Sequence, residues 1–216
     1  VQFCPENKSG VKLKMQMTAS IGIKSVILGV VTGLFLLTHS VIAADGIAAE
    51  EFLKGKLNQV FETLQKTDLT QEAKSKAVVE IVSPMFDFQL MAKLSLGRQY
   101  WPDLSEEKRE KFTELFVNRL RNSYLSKITG YTDETVIYDP PVKVNEKIHI
   151  PTYLVSKGNK ISMLYKFYQS GDQWKIYDLE IQGVSIIRSY QAQFKEILQK
   201  GTFDDLLLKM EKPAND

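Results

Sequence analysis

Cysteine is almost absent from this chain: its 216 residues include one, Cys4, and histidine is hardly commoner, with His39 and His149. That excludes a disulfide framework and any Cys-rich or His-rich metal site. Spacing of the EF-hand kind is missing too, so a metal site built only from carboxylates is the one metal reading left open. Neither sign of charge is in excess, with 28 Lys and Arg facing 26 Asp and Glu, so a strongly basic nucleic-acid face has nothing to draw on. The chain carries no G-x-S-x-G, no P-loop and no G-x-G-x-x-G. It also lacks internal repeats, low-complexity tracts and an apolar run of the ~20 residues that a membrane span needs.

What is present at the N-terminus is a shorter apolar run, Val26 to Leu37, preceded by Lys12, Lys14 and Lys24 and followed by Val41-Ile42-Ala43-Ala44. A basic segment, a short apolar segment and small residues before the cut describe a secretory signal peptide. The expected cleavage is after Ala43, with Ala44 as the alternative, and export would be to the periplasm. Residues 1–14 are polar and patternless, and Met15 or Met17 would start a leader of ordinary length, so that stretch reads as upstream sequence. Cys4 lies too far before the apolar run to be a lipoprotein attachment site. Without residues 1–43 the chain has 24 basic and 25 acidic residues and no cysteine, so residues 44–216 must be held by their core alone. About 173 residues suffice for that.

The remaining chain changes period halfway. Leu53, Leu57, Val60, Phe61 and Leu64 predict a helix over 47–65, and Ala73, Ala77, Val78 and Ile81 predict another over 70–82, closed by Pro84. Asp87 and Gly97 bracket a short helix as N-cap and C-cap. After a linker at 101–104, Ser105 opens the longest helix, striped by Phe112, Leu115, Phe116, Leu120, Tyr124 and Ile128 and ended by Gly130. The pattern then turns to period two: a strand at 134–138, a long strand at 142–156, a return at 160–169 and a last strand at 173–182, with turns at 157–159 and 170–172. Gly183 breaks that strand before a closing helix carrying Val184, Ile187, Gln191, Phe194, Ile197 and Leu198, and a short terminal helix covers 202–210. Helices, then an antiparallel meander, then helices give an α+β fold with helices on one face of a curved sheet of about four strands.

Little in these elements looks catalytic. His149 points away from Ile148 and Ile150, toward solvent or a sheet edge. Ser95, Ser105 and Ser185 have no histidine placed beside them by motif. Asp178, in a strand among apolar residues, is either a base of raised pKa in a cavity or a strand residue bonded to backbone, Arg98 or Arg188. The notable supply is apolar: all nine tyrosines and nine of the eleven phenylalanines follow residue 43. They fill a solid core, or they wall a cavity for an apolar ligand.

Two blocks of sequence resemble a known family. Asp87-Phe88, Leu96-Gly97-Arg98-Gln99-Tyr100-Trp101 and Lys111-Phe112 form the first. The second runs Trp174-Lys175-Ile176-Tyr177-Asp178-Leu179-Glu180-Ile181-Gln182-Gly183-Val184-Ser185 and then Ser189-Tyr190-Gln191-Ala192-Gln193-Phe194. Together they are similar to MlaC-type proteins, the toluene-tolerance family, over about residues 45–210. Gln191 departs from the pattern, where Arg is common. The resemblance implies a phospholipid carrier with an NTF2-like cone, periplasmic and monomeric. It implies transfer between an outer-membrane lipoprotein complex and an inner-membrane ABC transporter complex, with no cofactor, no metal, no nucleic acid and no catalytic residue. It implies a pocket between sheet and helices that buries acyl chains. The element faces put Phe88, Met91, Phe116, Leu120, Tyr124, Ile148, Ile150, Met163, Tyr165, Phe167, Leu179, Ile181, Val184, Ile187 and Tyr190 on its wall. The alternatives are a carrier for another membrane lipid such as a hopanoid, an enzyme using Asp178, and an adaptor with a filled core.

Overall fold

The computed structural model describes the backbone of residues 23–129, 134–156 and 158–212. The chain divides into two units, 1–41 and 42–216. In the first, the described residues are helical. The second holds the remaining helices and the sheet. Among the described residues no helix is long and apolar enough to cross a membrane.

Helix α1 is Ile23–Gln65, so the helix expected from residue 47 begins much earlier. Within the second unit Ala49, Leu53, Val60 and Leu64 are among its buried residues, spaced so that one face turns inward. Helix α2, Gln71–Val82, starts where the Thr70 hydroxyl accepts from the Ala73 N–H at 3.2 Å. Pro84 then enters a 3-10 turn at Ser83–Met85. Helix α3, Phe88–Leu96, is capped as expected: Asp87 Oδ1 accepts from the Leu90 N–H at 2.8 Å, and Gly97 leaves it at φ 94°. The linker at Trp101–Asp103 is itself a 3-10 turn. Helix α4, Glu106–Thr129, begins where Lys108 N–H donates to Ser105 Oγ at 3.3 Å. Its expected stop at Gly130 lies outside the described residues.

The sheet has six strands, not four, and all named pairs are antiparallel. They are β1 (Thr135–Tyr138), β2 (Val142–Val144), β3 (Lys147–Ser156), β4 (Asn159–Ser170), β5 (Gln173–Ile181) and β6 (Val184–Ser185). The strand read as 142–156 is two strands. Asn145 takes φ 56° and turns the chain, so Val142 pairs with His149 and Val144 with Lys147. Asn is among the few non-glycine residues that tolerate that backbone. A second unforeseen turn, at Gln182 (φ 51°) and Gly183 (φ 79°), lays β6 against β5. Val184 is therefore a strand residue, and α5 begins after it, at Ile186–Lys200. Helix α6, Phe203–Glu211, carries a complete capping box between Thr202 and Asp205.

Two layers of side chains fill the interior. On the sheet, Ile148, Ile150, Phe167 and Ile176 are at most 2% exposed, and Phe52 of α1 meets Phe167 edge to face. Between the helices runs an aromatic stack. Phe112 of α4 touches Trp101, Phe194 and Phe203, and Phe116 touches Tyr190 and Phe194. The apolar stripes of α4, α5 and α6 thus satisfy one another.

Candidate functional site

One end of the sheet is not filled. A cavity of about 350 Å³ lies between the sheet and α1. That is within the ~300–1,000 Å³ range of ligand pockets. Leu57, Val60, Phe61 and Leu64 of α1 form one wall, and Val82, Met85 and Phe86 another. Tyr124 of α4 closes a side. The sheet supplies the floor: Val136 on β1, Thr152 and Leu154 on β3, Ile161, Met163 and Tyr165 on β4, Leu179 and Ile181 on β5, and then Gln182.

Strand register orders these residues in depth. Val136, Leu154 and Ile161 share one row, Thr152, Met163 and Ile181 the next, and Ile150, Tyr165 and Leu179 the third. Beyond it Ile148, Phe167 and Ile176 close the end with solid packing. Gln182 is exposed and Leu154 and Ile161 are half-buried, whereas Thr152, Tyr165, Leu179 and Met85 are buried. The cavity therefore opens at the Leu154–Ile161–Gln182 end and is sealed toward Phe167.

Its wall is nearly all hydrocarbon and aromatic carbon. The Tyr165 hydroxyl, fully enclosed, donates to the Met163 sulfur at 3.8 Å. Burial, with a smaller push from Tyr138, drives that phenol well above its ordinary pKa. Burial first, then Tyr190, raises Tyr124 as well. Both rings stay neutral at physiological pH, so the cavity presents no charge from them. Thr152 Oγ1 is buried and has no hydrogen-bond partner among the described residues.

A separate polar cluster sits where Asp178 lies opposite Lys166 across β4 and β5. A bulge makes this register, since Phe167 pairs with Ile176 and leaves Tyr177 as the extra residue. Asp178 Oδ2 accepts from Lys166 Nζ at 2.9 Å and from Ser185 Oγ at 2.8 Å, while Oδ1 accepts from the Ile187 N–H at 3.2 Å. Lys166 Nζ also bonds Glu180. Burial disfavours the Lys166 ammonium, yet the hydrogen bonds to Glu180 and Asp178 outweigh it, and its pKa rises. Ser185 also caps α5 by accepting from the Arg188 N–H at 3.1 Å. One carboxylate therefore ties β4, β6 and the start of α5 together. Its partners are Lys166, Ser185 and backbone, not Arg98 or Arg188, because the strand register sets Lys166 directly across from it. His149 is half-buried, not free in solvent, with Nε2 3.0 Å from the Tyr177 hydroxyl.

Of the residues placed on a pocket wall from sequence, Tyr124, Met163, Tyr165, Leu179 and Ile181 line this cavity. Ile148, Ile150 and Phe167 lie on the same sheet face but in its solid part, and Met91 is buried with them in the core. Phe116, Ile187 and Tyr190 are buried in the core, with Leu120 packed against it. Phe88 stacks on Phe86 at the cavity's margin. Val184 is 61% exposed on β6. The α1 wall and the outer row Val136, Leu154 and Ile161 were not singled out. Their signal was there: the α1 stripe, and the alternation that already put Leu154 and Ile161 on the inner faces. Gln191, the departure noted above, reaches Leu94 O at 3.4 Å at the end of α3.

Comparison with known proteins places this geometry. A curated relative from Haemophilus influenzae, named an intermembrane phospholipid transport system binding protein MlaC, is 26% identical over 61% of this chain and 64% of its own length. A toluene tolerance protein of Pseudomonas putida is 21% identical over 59% of this chain and 60% of its own. The chain thus spans less than two thirds of either relative. A phospholipid-binding protein from Ralstonia solanacearum, solved in complex with a phospholipid, shares the fold at a TM-score of 0.68. It is 22% identical, with 76% of this chain and 94% of that one aligned. The MlaC protein family model matches residues 54–212, from the middle of α1 past the end of α6. A match of that extent, on an α+β fold with an apolar cavity under α1, makes this chain a member of the MlaC, or toluene-tolerance, family.

Proposed function

We propose that this chain is a periplasmic carrier that binds a phospholipid by its acyl chain and hands it between membranes without chemistry. The observation that carries the reading is the apolar cavity itself, open at the Leu154–Ile161–Gln182 end and lined by Leu57, Val60, Phe61, Met163 and Ile181. Removing one methylene from water contributes about 0.8 kcal/mol, so a long acyl chain left in water costs on the order of 10 kcal/mol. A dry pocket offsets most of that cost. A volume of about 350 Å³ holds roughly a dozen water-sized groups, enough for most of one tail. The headgroup then stays at the mouth, which predicts loose headgroup selectivity. Its transient partners are an outer-membrane lipoprotein complex and an inner-membrane ABC transporter complex. The carrier is a monomer between them, delivered by its cleaved leader.

Native mass spectrometry on protein exported and purified without detergent tests this. The expected result is protein carrying phospholipid in a defined ratio. Solvent extraction that yields no stoichiometric lipid sinks the reading, and a polycyclic lipid in its place moves the assignment to a hopanoid-type carrier.

A further inference from the structure

Gly55 stands in the interior of α1, where glycine weakens a helix relative to alanine. Space does not call for it, because a methyl group built at Gly55 meets nothing within 4 Å. What the glycine divides is the packing of the helix. Before it, Ala49 and Leu53 sink into the main core and Phe52 meets Phe167 of β4. After it, Val60 and Leu64 form a separate cluster with Val78 of α2, and Ile81 and Val82 lie against that cluster. Lys74 Nζ donates to Leu64 O at 2.6 Å, so the end of α1 and α2 are stitched to each other. α2 runs beside α4, yet among the described residues the cluster draws on α1 and α2 alone. Past α2, Pro84 has no N–H with which to extend the helix. The chain is then pinned to β5, where Asp87 N–H donates to Ile176 O at 3.0 Å. Residues 56–82 thus have a break point at either end and a small core of their own between. They also carry Leu57, Val60, Phe61, Leu64 and Val82 of the cavity wall.

We propose that residues 56–82 are a hinged wall of the cavity, bending at Gly55 and at Ser83–Pro84, which swings off the sheet to admit a second acyl chain. Such a wall deepens the carrier reading and rests on it. The cavity of about 350 Å³ takes most of one tail, and a diacyl phospholipid brings two. The floor is the stiffer side, since β3, β4 and β5 are bonded in register along their length. The helix pair can move as a body by changing backbone angles at a few residues. A single-tailed lipid enters by the open mouth and needs no swing.

The test compares the full chain with Gly55→Ala, which stiffens the bend point and leaves the cavity wall untouched. Gly55→Ala is expected to raise Tm by roughly 1–4 °C. Its initial rate of loading from dioleoyl phosphatidylglycerol vesicles is expected to fall roughly two- to fivefold, the rate equivalent of that stiffening. Loading with lysophosphatidylglycerol should keep its wild-type rate. Paired spin labels report the motion directly, at exposed positions and in a Cys4→Ser background. The pair Glu62→Cys with Gln169→Cys spans the hinge and should lengthen by several ångström on loading with the diacyl lipid. The pair Glu51→Cys with Gln169→Cys does not span it and should stay unchanged. A Glu62–Gln169 distance that does not change on loading overturns the hinge, as does Gly55→Ala loading the diacyl lipid at the wild-type rate or slowing both lipids alike. If wild type loads neither lipid, it is the carrier reading that has failed. Amide exchange then judges the hinge without lipid. Residues 56–82 should exchange as one unit, faster than 49–54 and slower in Gly55→Ala, and equal protection on both sides of Gly55 overturns it.

Discussion

Replacing Asp178 with asparagine separates a structural carboxylate from a catalytic one. The substitution keeps one oxygen for the Ile187 N–H but puts an NH2 group where Lys166 and Ser185 donate, at 2.9 and 2.8 Å. A donor then faces two donors inside a site where Lys166 and Asp178 are 7% and 5% exposed. Breaking a buried ion pair by removing one partner costs about 3–5 kcal/mol. Lys166 keeps Glu180, which holds the loss near the lower end, about 3 kcal/mol. For a domain of this size that lowers Tm by roughly 6–12 °C. Urea unfolding followed by far-UV circular dichroism, with thermal melts alongside, gives both numbers. Lipid bound per folded molecule should stay at the wild-type level, because the cluster is separate from the cavity wall. A variant as stable as wild type to within about 0.5 kcal/mol would refute the reasoning. Asp178 would then be held in place for something other than the fold.

Three further outcomes are expected. Met163→Glu should cut lipid loading roughly tenfold or more, since a carboxylate against a buried tail must desolvate or neutralise. Mass spectrometry of bound lipid checks it, and a fall in melting temperature that tracks the fall in loading would make Met163 a core residue instead. Burial, and then the Lys166 charge, hold His149 below its ordinary pKa of 6.5, so the folded state resists its protonation. Stability should be full above that value and decline as pH falls through the lower folded pKa. His149→Gln should flatten that part of the slope between urea midpoints taken at neutral and acidic pH. Thr202→Ala removes the capping box of α6 and should cost about 1 kcal/mol, visible as faster amide exchange in that helix.

Much of the fold was legible because its punctuation is local. Asp87, Ser105 and Gly97 announce helix ends through their own side chains or their lack of one, and each does so in the structure. The Asn145 turn was not legible, for a numerical reason. Val142 and Val144 stand in even step with Ile148 and Ile150, with Glu146 between them, so 142–156 reads as one strand. A two-residue turn reverses the facing: Val142 pairs with His149 and points to the other side. The Gln182–Gly183 turn hid β6 in the same way, by looking like a break before a helix. The cavity was half legible. Alternation identified the inner face of β3 and β4 but not where along it the packing stops. Nothing in the stripes of α1, α4 and α5 says which helix covers the sheet and which packs against its fellows. That choice belongs to tertiary contacts such as Phe116 with Tyr190.

The division of labour along one edge of β3 has a consequence for how the protein behaves in a crowd. β1 and β2 share that edge, with Asp139, Pro140 and Pro141 between them, and Asp139 N–H is already bound to Pro151 O at 3.0 Å. The two prolines have no N–H to offer a newcomer. Ile137 and Val142, each about half exposed, would otherwise make this border sticky. The opposite border is β5, where β6 takes Glu180 and Ile181, and where Ile176 meets Phe86 and accepts from the Asp87 N–H at 3.0 Å. On both borders the ladder open to another molecule's strand is interrupted, by prolines on one side and by β6 and Phe86 on the other, which works against edge-to-edge pairing of copies.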